Sequence, residues 1–193
     1  MKNLKLLTSI FIFILSVITM NLFAKDPGEK VDDFTIKNFD GKSYVLSNSD
    51  AKYTVIMFWS SECPYVQPFN DRINEFVKGY QDKGIAFWAV NANSTEPVEQ
   101  VKSHAEKHSY VFPMLKDENN VVADIFGATR TPEVFVLDKN RVILYHGRID
   151  DNSYQEKVTS HDLKNALDEL LAGKEVSVKS TKSFGCGIKR VNQ

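Results

Sequence analysis

The 193-residue sequence predicts an α/β domain in which a central mixed β-sheet is flanked by helices. Three observations carry this reading. Tyr53–Trp59 and Ile85–Asn91 are continuous apolar runs of strand length, as expected of strands covered on both faces. Each is followed by a stretch whose apolar residues recur at helical spacing. Nearer the C-terminus, the apolar stretches Glu133–Leu137 and Val142–His146 are joined by Asp138, Lys139, Asn140 and Arg141, a turn composition suited to a hairpin. A hydrophobic content of 42% supplies one full core, so a single domain is expected.

In chain order, Lys2 and Lys5 precede an uncharged apolar run from Leu6 to Ala24, and Lys25, Asp26 and Pro27 follow. This is the pattern of a secretory signal over residues 1–24, cleaved after Ala24. Its apolar length almost suffices to span a bilayer, so an uncleaved membrane anchor is the alternative. Either way the folded part, residues 25–173, is expected outside the cytoplasm, periplasmic or otherwise exported, where disulfides persist. Membrane association follows only if the segment stays attached.

The stretches DDFTIKN and KSYVLSN around Asp40 and Gly41 read as an N-terminal β-hairpin. After the first buried strand, a helix from Cys63 places Phe69, Ile73, Phe76, Val77 and Tyr80 on one side; Pro64 fits its first turn and Pro68 bends it. After the second strand, Ser94 or Thr95 starts a helix over Val98–His108, with Glu96 and Pro97 in its first turn. Val111–Leu115 is extended, and a short helix from Asn119 to Phe126 is closed by Gly127. A last helix, from about Ser160 to Ala172, buries Leu163, Ala166, Leu167, Leu170 and Leu171, with Gly173 just past its end.

Without residues 1–24 the chain has 22 basic and 25 acidic side chains, a net charge of −3. Residues 174–193 carry +4 of this and the body −7, so the tail is expected either to lie on the body or, equally on composition, to be solvated and partly disordered. A chain this acidic, with no basic aromatic face, is not a nucleic-acid binder.

The two cysteines sit in contrasting places. Cys63 stands where a buried strand hands over to a helix, so its sulfur faces free N–H groups and the positive end of a helix dipole, which favour a thiolate nucleophile. Cys186 lies in the polar tail between Gly185 and Gly187, which let the backbone approach another element closely. The stretch from Ala172 to Cys186 can extend about 45 Å, enough to bring Cys186 back to Cys63 past a final helix about 20 Å long.

The order hairpin, β, α, β, α, short α, β, β, α is that of a thioredoxin-like fold with a helical insertion. The strings FWSSECPYV, GATRTPEVFVLD, YHGRIDDN and GCGIKR resemble a peroxiredoxin-like branch of the alkyl hydroperoxide reductase and thiol-specific antioxidant family, over roughly residues 27–190. The resemblance implies an oxidoreductase with Cys63 at the catalytic centre. A thioredoxin carries Cys-x-x-Cys, but Val66 stands where the second cysteine would be, so any resolving thiol must be Cys186 or come from another molecule. Peroxiredoxins resemble one another in a proline seven residues before the cysteine and a threonine three before it; here these are Ile56 and Ser60, leaving a single hydroxyl to position a peroxide.

In this fold Pro132 is expected to be cis beside the reactive sulfur, with Thr131, Tyr65 and Pro64 contacting substrate. If Pro132 begins its strand near Cys63, the antiparallel return strand ends there too, making Arg148 the candidate cation beside the thiolate. The expected partners are a protein thiol or disulfide, or a peroxide, with an external thiol reductant. Cys186 would resolve the intermediate, and reduction would free the tail. The alternative is a non-catalytic binding module in which Cys63 and Cys186 form a structural disulfide. No cofactor or metal is expected: His104 and His108 share a helical face but lack further ligands, and read as a solvated face. Asn93 opens an Asn-Ser-Thr glycosylation sequon.

Overall fold

The computed structural model describes residues 24–191, so the signal or anchor segment lies almost wholly outside the described residues. The elements in order are strands β1 (Thr35–Asn38), β2 (Ser43–Val45) and β3 (Tyr53–Phe58), helix α1 (Ile73–Gln81), β4 (Ile85–Asn91), α2 (Val98–Lys107), β5 (Met114–Lys116), α3 (Val121–Phe126), β6 (Arg130–Thr131), β7 (Glu133–Asp138), β8 (Ile143–Gly147), α4 (Asp162–Leu171) and β9 (Cys186–Gly187). Seven strands form one sheet in the order β2-β1-β5-β4-β3-β7-β8, and β6 and β9 form a separate pair. β3 runs parallel to β4 and antiparallel to β7, giving the mixed sheet that the sequence predicts.

The alternation of β3 divides the interior. Val55 and Met57 face α1, α2 and α4, packing with Ile73, Val77, Val101, Leu163 and Leu167. Ile56 and Phe58 face the other way, toward Phe34 and Ile36 of the hairpin region, α3 and Phe135. Every residue of β3 from Val55 to Phe58 is fully buried. That burial on both faces explains why the strand reads as an unbroken apolar run.

The segment after Cys63 differs from expectation. It forms turns and one 3₁₀ turn (Gln67–Phe69), and α1 begins only at Ile73. Pro68 lacks the N–H that a helix would use, its ring crowds the carbonyl four residues back, and it disfavours helical geometry at Gln67. The dipole of α1 therefore starts beyond Arg72, and the Cys63 sulfur does not sit at a regular helix terminus.

Register brings the site together. Phe58 at the end of β3 pairs with Glu133 at the start of β7, and Val134 pairs with Gly147 at the end of β8. Cys63, Pro132 and Gly147 thus share one end of the sheet. The tail lies on the body along that end. The His146 N–H donates to Lys179 O at 3.0 Å, Thr181 N–H donates to His146 O at 3.0 Å, Ile188 N–H donates to Thr129 O at 2.9 Å, and Arg190 pairs with Asp124.

Candidate active site

Cys63 is 2% exposed and belongs to the core that α1 covers. Its Sγ donates to Thr131 O at 3.1 Å and lies 2.7 Å from Cys186 Sγ. Both are free thiols. Cys186 arrives on β9, which pairs antiparallel with β6 in the register Thr131↔Cys186 and Arg130↔Gly187. The Thr131–Pro132 peptide bond is cis, as the sequence predicts. Gly185 has φ +142°, and a Cβ there would stand 2.1 Å from Thr131 O, so only glycine permits this approach. Gly187 is different: its nearest neighbour would be 4.0 Å from a Cβ.

The Cys186 thiol is pushed up to about 11, first by burial and then by the neighbouring Cys63 sulfur, against the opposing effects of the Tyr65 backbone N–H and Lys189. At neutral pH it stays protonated. Tyr65 is largely exposed, with its ring edge-on to Phe184 at 6.0 Å; Pro64 is exposed beside it.

Two expected roles are not supported by the geometry. The hydrogen-bonding partner of the Arg148 side chain is a carboxylate: its Nε donates to Asp162 Oδ2 at 2.5 Å, in the first turn of α4, where a carboxylate at a helix N-terminus already has a reason to sit. Ser60 has no donor to offer a peroxide. Its hydroxyl donates to Glu96 Oε1 at 2.5 Å and accepts the N–H groups of Cys63 and Glu62 at 3.1 and 3.2 Å, which fills one donor and two acceptor positions. Ser60 shapes the cysteine turn instead.

Glu96 is the residue that the sequence reading misplaced. It lies before the start of α2, which Pro97 caps, rather than in its first turn, and it is 0% exposed. Its carboxylate receives Ser60 Oγ, the Ser61 N–H, Ser61 Oγ, Asn91 Nδ2 and Asn93 Nδ2. Burial pushes its pKa up, but these donors outweigh burial and hold it below the ordinary glutamate value. Asn93 is thereby 4% exposed and occupied as a donor, which removes it as a glycosylation acceptor, and its Oδ1 receives the Lys189 N–H at 2.7 Å. The signal for Glu96 was topological: loops after adjacent parallel strands converge, so the loop after β4 must lie beside the one after β3.

Nor is the histidine pair a solvated face. His104 is 9% exposed, its Nε2 lies 3.0 Å from the Tyr110 hydroxyl, and burial lowers it to about 4. Among the described residues, no three His, Cys, Asp or Glu are arranged to hold a metal ion.

A family model described as AhpC/TSA matches residues 27–146, more than half of the chain. The chain belongs to the AhpC/TSA family. The fold is thioredoxin-like. The AhpC/TSA match ends before Arg148 and the tail, so it carries Cys63, Thr131 and Pro132 but not Cys186. Among its relatives, the thiol-disulfide oxidoreductase ResA of Geobacillus thermodenitrificans is 28% identical over 113 residues, covering 58% of this chain and 64% of that protein. The thiol-disulfide oxidoreductase ResA of Bacillus cereus is 24% identical over 179 residues, covering 88% of this chain and 96% of that one. A hypothetical protein from Sinorhizobium meliloti 1021 has a solved structure that superposes with a TM-score of 0.81 at 31% identity, covering 88% of this chain and 97% of that one.

Proposed function

We propose that this AhpC/TSA protein is an exported thiol-disulfide oxidoreductase in which Cys63 is the nucleophile and Cys186 the resolving thiol. The observation that carries the reading is the meeting of two sulfurs 123 positions apart in sequence at 2.7 Å, with one of them delivered by a strand paired to the residue before Pro132.

In the reductive direction, the Cys63 thiolate attacks one sulfur of a protein disulfide; a mixed disulfide forms and the other substrate sulfur leaves as a thiolate. Cys186 gives its proton to solvent and attacks the Cys63 sulfur, which expels the second substrate thiolate and leaves a Cys63–Cys186 disulfide. An external thiol reductant then supplies two electrons and two protons and restores both thiols. The filled hydrogen-bonding capacity of Ser60 favours a disulfide over a peroxide as substrate. Export is supported by the charge and apolar pattern of residues 1–24.

The test is steady-state turnover of the parent and of Cys186→Ser with an insulin-type disulfide and with hydrogen peroxide. The expected result is turnover of the disulfide by the parent, and a trapped Cys63–substrate mixed disulfide in Cys186→Ser. Turnover of peroxide alone would reassign the substrate, and equal turnover by Cys186→Ser would remove Cys186 from the mechanism.

A further inference from the structure

The Cys63 sulfur cannot be reached from solvent past the strand that serves it. Cys63 is 2% exposed, and the partly exposed Cys186 sits directly against it. The β6 edge, the peptide groups of Arg130 and Thr131, is already taken by β9. An incoming chain that presents its cysteine to Cys63 beside Thr131 O needs the place that Cys186 holds.

The tail is held on both sides of that place, and within it by the two-residue β9 pairing and the Phe184–Tyr65 ring contact. Upstream, Thr181 Oγ1 meets the Tyr145 hydroxyl at 2.8 Å and receives the Arg148 N–H at 3.1 Å, beside the two His146 backbone bonds. Downstream, Asn93 Oδ1 receives the Lys189 N–H, and the Ser94 N–H donates to Lys189 O at 2.8 Å. Between these anchors, among the described residues, 182–185 make no backbone–backbone hydrogen bond. Only the Arg130 guanidinium reaches Gly185 O, at 3.2 Å. Ser183 Oγ and Thr131 Oγ1 are buried there without partners. Short segments with few buried bonds open at lower free energy than the fold as a whole.

We propose that residues 182–187 are a displaceable stand-in for the substrate: β9 covers Cys63 and must leave β6 before a substrate strand docks, and the docked strand must carry glycine before its cysteine. The glycine requirement follows from Gly185, because a Cβ in that register meets Thr131 O at 2.1 Å and Pro132 Cδ at 3.3 Å. This deepens the thiol-disulfide reading and rests on it. The partner is an extended polypeptide segment with a Gly-Cys disulfide, bound by strand addition.

The experiment uses the full chain with Cys186→Ser, so that Cys63 is the single thiol, and follows its reaction with 5,5′-dithiobis(2-nitrobenzoate). Adding Gly185→Val pushes β9 off Thr131 and is expected to accelerate the reaction about ten-fold or more, with the urea midpoint of the body unchanged. Thr181→Val, which loosens only the upstream anchor, is expected to accelerate it less. In the opened variant, the peptide SFGCGIK carried as a mixed disulfide with 2-nitro-5-thiobenzoate is expected to react about ten-fold or more faster than SFACGIK. Equal or slower rates in both Gly185→Val and Thr181→Val overturn the cover, and equal rates for the two peptides overturn the glycine requirement. A Cys63 that stays unreactive in every variant overturns the nucleophile reading itself, so the two failures are distinguishable.

Discussion

The Ser60 hydroxyl donates to the Glu96 carboxylate at 2.5 Å where neither residue reaches solvent, Ser60 being 2% and Glu96 0% exposed. Through Ser60 and Ser61 this buried charge fixes the turn that presents Cys63, and through Asn93 it touches the tail at Lys189. Glu96→Gln replaces an all-acceptor group by one that can accept at only one oxygen, so two or three of the five donors lose their acceptor. The expected cost is about 2 kcal/mol or more, at about 1–3 kcal/mol per unmet donor, read as a lower urea midpoint at unchanged m-value.

The same carboxylate sets a pH dependence. Its folded-state pKa lies below the unfolded one, near 4.3. Its contribution is therefore complete above that value and is lost as pH falls through the lower folded value. Urea midpoints of parent and Glu96→Gln should converge on acidification below about 4.3. A constant difference down to strong acid would contradict the assignment.

His104 acts in a neighbouring window by the opposite charge change. Burial comes first, followed by the charges of His108 and Lys107, and together they lower it to about 4. The unfolded chain takes up this proton near 6.5 and the folded protein does not, so stability falls as pH drops from about 6.5 toward 4 and is unaffected above it. The His104 ring resonances should titrate below pH 5; a midpoint near 6.5 would mean that the ring is solvated.

Arg148 was legible as a residue at the active-site end of the sheet, because the antiparallel return of β8 puts it there. Its partner was not, because Asp162 lies in another element and only packing brings α4 under Arg148. The same division runs through the site. Cys63, the cis bond at Pro132 and the close approach of Gly185 follow from local sequence and fold. Glu96 and Asn93 do not, because a buried carboxylate is indistinguishable in sequence from an exposed one until the loops after β3 and β4 are placed side by side. The helix expected from Cys63 begins at Ile73 because Pro68 outweighs an apolar periodicity that continues through it. The tail is legible only as a charge-complementary segment: its docking rests on backbone bonds at Lys179, Thr181 and Ile188, which composition does not specify.

Arg148→Ala should accordingly leave the reaction of Cys63 with a small disulfide unchanged. Its cost should stay within about 1 kcal/mol, the usual scale of a partly exposed ion pair. A slower Cys63 reaction in this variant would restore Arg148 as its cation.

For Cys186, burial is the larger cause of its raised pKa and the Cys63 sulfur the smaller. In Cys63→Ser the thiol should therefore titrate above the ordinary cysteine value of about 8.5 but below the value of about 11 that it has in the pair. Alkylation rate against pH reads this directly, and a midpoint at or below 8.5 would show that Cys186 is not shielded.

The central claim is that Cys63 and Cys186 exchange electrons as a pair. Equilibrating the protein in graded dithiol–disulfide buffers, quenching with acid and mapping peptides gives the fraction of Cys63–Cys186 disulfide at each potential. The pair should oxidise to this one intramolecular bond, with a midpoint above about −300 mV, the range of working rather than structural disulfides. Free thiols at oxidising potentials, or a midpoint well below −300 mV, would contradict the account.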